Sequence, residues 1–326
     1  MTPRTVYLHI GHNKTASSFL QSALAHSVDI LAGHGLHYPL NERNAAAALA
    51  GEITGGNVNT DPQSLERALD HDWTSGTDKL VLSSEGLFNT LATPENGPAF
   101  LAELHRQIPD SALHVILYIR DPLGHAVSHY HQMVKRSGYT GDFAAFVQAY
   151  NTPRHVGRVV QLLERAGAQL TVVNYTRNRK QILPRFESWL GLAPDTLIRP
   201  PVGQVNRSLT LAELELQRLF NISLGKKAGR FISAPLCAKL PDIRSQTPHL
   251  HPEELSGFLG RMREMTQAAM AEGRIPEAEA WQIETEAEAA QIVSPPPEDM
   301  QFSFSQAQID LLARTISGTI KRGQSK

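Results

Sequence analysis

Residues 11–18 read Gly-His-Asn-Lys-Thr-Ala-Ser-Ser and follow directly on the apolar run TVYLHI. A buried-type strand that breaks at glycine and reopens as a helix presents unused backbone N–H groups and the positive end of the helix dipole. Lys14, with the hydroxyls of Thr15, Ser17 and Ser18, turns that place into a phosphate cradle. The spacing is not that of the longer loop G-x-x-x-x-G-K-[ST], because no glycine directly precedes Lys14. A loop this short suits a nucleotide with a single phosphate in the cradle.

A second cluster lies in HVILYIRDPLGHAVSHYHQMVKRSG, residues 114–138. An apolar run ends in Arg120, a proline turn follows, and Ser128 stands one to two turns into the next helix. A guanidinium at a strand end forks onto phosphate, and a helical hydroxyl adds a donor. For an isolated arginine, bonds to local carbonyls are the better explanation; a lysine loop on a neighbouring strand end tips the balance towards phosphate.

These residues need a scaffold that brings strand ends together. Short apolar runs at 6–10, 79–83, 114–119 and 169–174 lack clean alternation, as strands covered on both faces do. Helical patterns at 15–25, 62–71, 99–107, 124–136 and 154–165 lie between or after them, the last stopping at Gly167. The rhythm predicts an α/β fold, a central parallel sheet flanked by helices. Ligand sites in such sheets lie outside the carboxyl ends of the strands, where Gly11 to Lys14 fall. Beyond about residue 209 the strand signals fade. Helices are expected at 211–220, 252–270 and 305–320, with Thr210 and Ser305 as N-caps and Pro295–Pro297 as a rigid linker. The expected organisation is a core over 1–210 and a mainly helical region, packed on it, over 211–326. Residues 41–60 look loop-rich, and the acidic run 284–288 reads as a solvated helix face.

The two motifs together resemble the sulfotransferases that use 3′-phosphoadenosine-5′-phosphosulfate. Their 5′-phosphosulfate loop is similar to Gly11-His12-Asn13-Lys14-Thr15-Ala16-Ser17-Ser18, and their 3′-phosphate element to Arg120-Asp121-Pro122 with Ser128. Lesser echoes, as in bacterial members, are Gly35-Leu36-His37-Tyr38-Pro39 and the strand ending at Tyr175. The turn Val205-Asn206-Arg207-Ser208 resembles the family's late nucleotide-contacting loop. The resemblance spans about residues 5–210 and implies a P-loop-like fold with that donor as co-substrate and no required metal. Ala16 stands where the family has glycine, so ordinary backbone angles are expected there. Thr176-Arg177 replaces a common acidic pair.

The resemblance implies transfer of a sulfuryl group to a hydroxyl acceptor, a glycan, lipid-linked sugar or small molecule. Such transfer works by positioning and electrostatics. Lys14 is placed to meet charge on the leaving phosphate. Glu85, closing the strand LVLSSE, is placed as general base; the family carries its base, His or Glu, at the corresponding strand end. The plainer role for Glu85 is a helix N-terminal acid or salt-bridge partner. His12 and His131 are acceptor-pocket or auxiliary acid/base candidates. Trp73 and Trp189 read as core, and Arg177, Arg179, Lys180, Lys226, Lys227 and Arg230 as solvated charge.

Composition narrows the alternatives. Lys plus Arg (31) balances Asp plus Glu (32), so nothing global favours nucleic acid or an anionic membrane. One cysteine, Cys237, excludes an internal disulfide framework. His125 and His129 have helical i,i+4 spacing but no HExxH pattern or third ligand, so no metal site is expected. The N-terminal residues lack a signal-peptide pattern and no apolar run reaches a bilayer's width, which leads to the expectation of a cytoplasmic protein without a membrane span. Oligomeric state is unreadable. Two other classes stay open: a P-loop kinase or NTPase, against which Ser83-Ser84 stand where a metal-binding aspartate is expected, and a non-catalytic binding protein of the same fold.

Overall fold

A computed structural model describes residues 4–40, 42–49, 56–59, 61–69, 78–200, 207–273 and 275–324. Its chain divides into two compact units, each assembled from three stretches. The first holds residues 1–121, 151–203 and 264–282; the second holds 122–150, 204–263 and 283–326. The sequence separates at 210 by element type; compactness follows a different partition, in which the chain passes between units several times.

The first unit carries the sheet. Five parallel strands, β1 (Thr5–Gly11), β2 (Leu36–His37), β3 (Lys79–Ser84), β4 (Ala112–Ile119) and β5 (Gln169–Asn174), lie in the order β2-β3-β1-β4-β5. The four expected strands are all present. The fifth, β2, is only two residues long, too short to show a period. It falls in the stretch 35–39, where Gly35 supplies the left-handed turn at φ 73°. β1 is central: the chain leaves it towards one edge of the sheet and leaves β3 and β4 towards the other. That reversal is where α/β sheets open a crevice for ligands.

The register makes the strand ends level. Ile10 pairs with Ser84, Gly11 with Tyr118, and Ile119 with Asn174. The next residues along each chain are therefore His12, Glu85, Arg120 and Tyr175. Four separate sequence signals thus emerge on one sheet edge. Behind them the sheet is apolar: Val6, Leu8 and Ile10 of β1 and Val115 to Ile119 of β4 are almost fully buried. Burying such side chains contributes about 1.5–3 kcal/mol each, so the edge is rigidly backed.

Several expectations need correction. The helix α1 runs Ser17–His26, two residues later than expected, because the loop holds left-handed conformations at Lys14 (φ 69°) and Ala16 (φ 68°). Ala16 therefore does not take ordinary backbone angles; as the N-cap of α1 it sits at φ 68°, ψ 20° with a methyl group in place. An L-residue there costs about 1–2 kcal/mol. Ala16→Gly is expected to stabilise the fold by about 1 kcal/mol, a melting rise of a few degrees; an unchanged or lower melting temperature would show the loop to be unstrained. The stretch 41–60 is not all loop, since a helix occupies Glu42–Leu49. Asn57 then pins β3: its side chain donates to Val81 O (2.9 Å) and accepts from Ser83 N–H (2.8 Å), beyond the point where β2 ends. A Cβ on Gly56 would collide with Ser83 O, which is why glycine precedes it. Trp73 and Asn206 lie outside the described residues.

The second unit is helical among its described residues. The expected helix over 124–136 ends as Pro122–Gln132 and continues as a π-turn, Met133–Ser137. Helices Leu211–Leu224 and Gln306–Gln324 are there as expected, the first with a complete capping box between Thr210 and Glu213. The helix Pro252–Glu272 starts in this unit and finishes in the first. No described helix is long and apolar enough to cross a membrane.

Candidate functional site at the carboxyl edge of the sheet

The loop from Gly11 to Ser18 joins the end of β1 to the start of α1. A Cβ on Gly11 would displace Ser17 Oγ and stand 3.0 Å from Thr15 Oγ1. Thr15 Oγ1 donates to His12 O at 2.7 Å and folds the loop on itself. The first backbone bonds of α1 are donated by Phe19 and Leu20 to Ala16 O. Ser17 Oγ is buried and has no hydrogen-bond partner among the described residues. A buried hydroxyl in that state is costly unless something else meets it. Left-handed conformations at 14 and 16 flank Thr15 in this loop. The residues present therefore fit a phosphate or phosphosulfate group.

Arg120 joins this loop from β4. Its Nη1 donates to Lys14 O at 3.2 Å, and its guanidinium lies 5.6 Å over the ring of Tyr175. Its own backbone N–H donates to His12 Nε2 at 3.0 Å. Glu85, the first residue after β3, is half-buried and accepts a long hydrogen bond from Ser18 Oγ at 3.5 Å. Of the expected site, Gly11 through Ser18, Glu85, Arg120 and Tyr175 are thus brought together in one unit.

The remaining described residues of the expected set belong to the second unit. Ser128, half-buried on the helix Pro122–Gln132, and His131, buried on the same helix, belong to the second unit, as does Ser208. Arg207, expected at the nucleotide, has its guanidinium fully committed inside the protein. Nε donates to Leu240 O (2.7 Å), Nη1 to Glu213 Oε2 (2.6 Å) and Ser208 O (3.1 Å), and Nη2 to Glu213 Oε1 (2.7 Å) and Leu236 O (3.4 Å). Five N–H donors meet five acceptors, leaving none for a ligand. His125 bonds Tyr150 OH through Nδ1 at 2.7 Å. Among the described residues no group of three metal-ligating side chains converges.

Two polar clusters that the sequence did not disclose hold the site from behind. His9 Nδ1 and Gln21 Nε2 both bond Ser83 Oγ, at 2.8 and 3.1 Å, tying β1 and α1 to β3. Ser83 thereby has a structural task where a P-loop kinase would hold a metal ligand. Asp121, directly after Arg120, accepts Asn174 Nδ2 (2.9 Å) and the Gln282 N–H (3.0 Å), and its own N–H donates to Thr176 Oγ1 (3.2 Å). Glu279 accepts from Asn174 N–H (2.6 Å), Asn178 Nδ2 (2.9 Å) and Arg185 Nη1 (3.0 Å). A strap over residues 275–282 is therefore sewn to the ends of β4 and β5. Its signal was out of reach of local patterns, because the partners are about a hundred residues apart.

Burial pushes the His9 imidazole down to about 3 from its ordinary 6.5. Folded protein keeps it neutral while the unfolded chain takes up a proton below 6.5, so stability falls as pH drops from 6.5 towards 3 and is unaffected above. The slope approaches about 1.4 kcal/mol per pH unit, or roughly 2 kcal/mol lost by pH 5. His114 and His155, lowered by burial as well, with Arg158 and Arg154 adding to the effect at His155, act in the same direction. Urea melts at pH 7 and 5 are expected to show this loss shrinking in His9→Asn; an identical loss in both proteins would exclude His9 as its source.

No family model matches this chain, and no curated protein matches it. Among solved structures it is similar to a sulfotransferase domain from the curacin biosynthetic pathway, at 12% identity and a TM-score of 0.33, over 60% of this chain and 76% of that one.

Proposed function

We propose that the carboxyl edge of the sheet binds 3′-phosphoadenosine-5′-phosphosulfate and that the protein is a sulfotransferase acting on a hydroxyl of a carbohydrate-like or small-molecule acceptor. The observation that carries the reading is the convergence of the Gly11–Ser18 loop, Glu85 and Arg120 on level strand ends, with a buried Ser17 hydroxyl that has no partner among the described residues. The donor supplies an activated sulfuryl group whose departure leaves adenosine 3′,5′-bisphosphate. The loop amides and the Ser17 hydroxyl would hold its 5′-phosphosulfate end. Lys14 would balance the charge that grows on the leaving phosphate, the kind of preorganised electrostatic contribution that dominates such transfers. Arg120 would read the 3′-phosphate, and Tyr175 beside it would support the nucleoside. Glu85 would take the proton from the acceptor oxygen as the new S–O bond forms and the bond to the phosphate oxygen breaks. A metal clamp is not called for, since the transferred group carries less charge than a γ-phosphoryl.

Supplying the donor with a panel of glycans, lipids and phenols, and reading products by the mass gain of one sulfonate, tests this directly. Sulfonation of any acceptor class, lost when the donor is omitted, supports it. Transfer of phosphate from a nucleoside triphosphate instead would place the protein among phosphoryl-transfer enzymes.

A further inference from the structure

Resting on the donor reading above, we propose that His12 is a positioning residue that clasps the backbone of Arg120 to the anion loop and so sets the guanidinium for the 3′-phosphate. His12 is 1% exposed, and its ring meets groups that follow two other strands of the site. It follows β1 directly. From β4, the Arg120 N–H donates to Nε2 at 3.0 Å. From the helix that follows Glu85, Phe88 meets the ring edge-on, with centroids 5.6 Å apart and planes at 64°.

The chemistry of these contacts selects one state of the ring. A peptide N–H can only donate, so Nε2 must carry the lone pair. The proton is then on Nδ1, which faces Asn13 O at 3.0 Å and donates to it. The other neutral tautomer, or the imidazolium, would set N–H against N–H at Arg120. With both nitrogens engaged in this way, His12 is not the auxiliary acid or base that its place in the loop suggested. Its effect passes through Arg120, whose Nη1 bond to Lys14 O closes a ring of contacts from loop to strand end and back.

Three substitutions separate the parts of this clasp. His12→Gln can place an oxygen where Nε2 stands and keep the acceptor for Arg120 N–H. His12→Asn reaches only the Nδ1 position. His12→Phe keeps the ring packing against Phe88 and removes both bonds. Calorimetric titration with adenosine 3′,5′-bisphosphate and with AMP is expected to show His12→Gln near the parent protein. His12→Asn and His12→Phe should lose about tenfold for the bisphosphate, the scale of one buried amide deprived of a partner, with little change for AMP. Exchange of the Arg120 amide proton should accelerate in those two variants and not in His12→Gln. A His12→Phe protein with parental bisphosphate affinity, or equal losses for both nucleotides, overturns the proposal. Nitrogen NMR of the parent imidazole tests the clasp independently of any nucleotide. A protonated Nδ1 with a lone-pair Nε2 supports it, and the opposite tautomer refutes it. A parent protein that binds both nucleotides equally would instead defeat the donor reading, leaving the NMR and amide-exchange results to decide the clasp.

Discussion

Glu85→Gln is expected to lower sulfonate transfer by about 10²–10⁴, the usual contribution of a positioned general base, while leaving bisphosphate affinity and melting temperature close to parental. Glu85 directly follows Ser84, which is paired with Ile10 of β1. Its backbone position is therefore set by the sheet, not by the carboxylate. The amide keeps the shape and can still accept from Ser18 Oγ, while the charge and basicity of the carboxylate are removed. A variant that retains turnover but loses stability or donor affinity would reassign Glu85 as a loop-orienting acid. Measuring transfer rate and product affinity on the same preparation distinguishes the two outcomes.

Glu213→Gln is expected to cost about 3–5 kcal/mol of stability, because it strands a buried guanidinium without its counter-charge. Arg207 is 7% exposed and Glu213 is fully buried, and the two meet through paired hydrogen bonds of 2.6 and 2.7 Å. Burial by itself raises the Glu213 carboxyl, but the hydrogen bonds from Arg207, the Thr210 N–H and Gln308 outweigh it and hold the group below the ordinary carboxylate range. A group shifted that way stabilises the fold above its unfolded value and loses the contribution as pH falls through its folded one. The pair is therefore intact at pH 5, where the His9 penalty is already present. Urea melts at pH 7 read the cost. Replacing both partners, as Arg207→Met with Glu213→Leu, should recover much of it. A single variant as stable as the parent would mean that the pair is not buried in solution.

The strands at the site were legible because fully covered parallel strands are continuous apolar runs, and their carboxyl ends announced themselves by a change of residue type at Gly11, Glu85 and Arg120. What escaped the sequence has physical causes that leave no local trace. Ala16 adopts a left-handed conformation with no glycine to flag it. Leu36–His37 is too short for periodicity to register. Arg207 looked like a ligand group because its loop resembled one, yet its partner was six residues away in the capping box of Thr210 and Glu213. That box was readable as a helix start, but the second use of its carboxylate was not. Glu279 acts on Asn174 across 105 residues, a pairing that only the fold creates. Asp121 was noted as part of a motif and proves to be the post to which the 275–282 strap is tied.

On the proposed reading, Arg120 and the Gly11–Ser18 loop recognise a nucleotide carrying both a 3′- and a 5′-phosphate. Thermal melting of the full chain in metal-free buffer with adenosine 3′,5′-bisphosphate, AMP or ATP, repeated for Arg120→Ala, tests it most directly. The bisphosphate is expected to stabilise the protein by about 2.7 kcal/mol at a hundredfold excess over its dissociation constant. AMP and ATP should do much less, and Arg120→Ala should bring the bisphosphate down to the level of AMP with its own unliganded melting temperature near parental. Equal stabilisation by AMP and the bisphosphate, or a larger effect of ATP once Mg²⁺ is added, would contradict it.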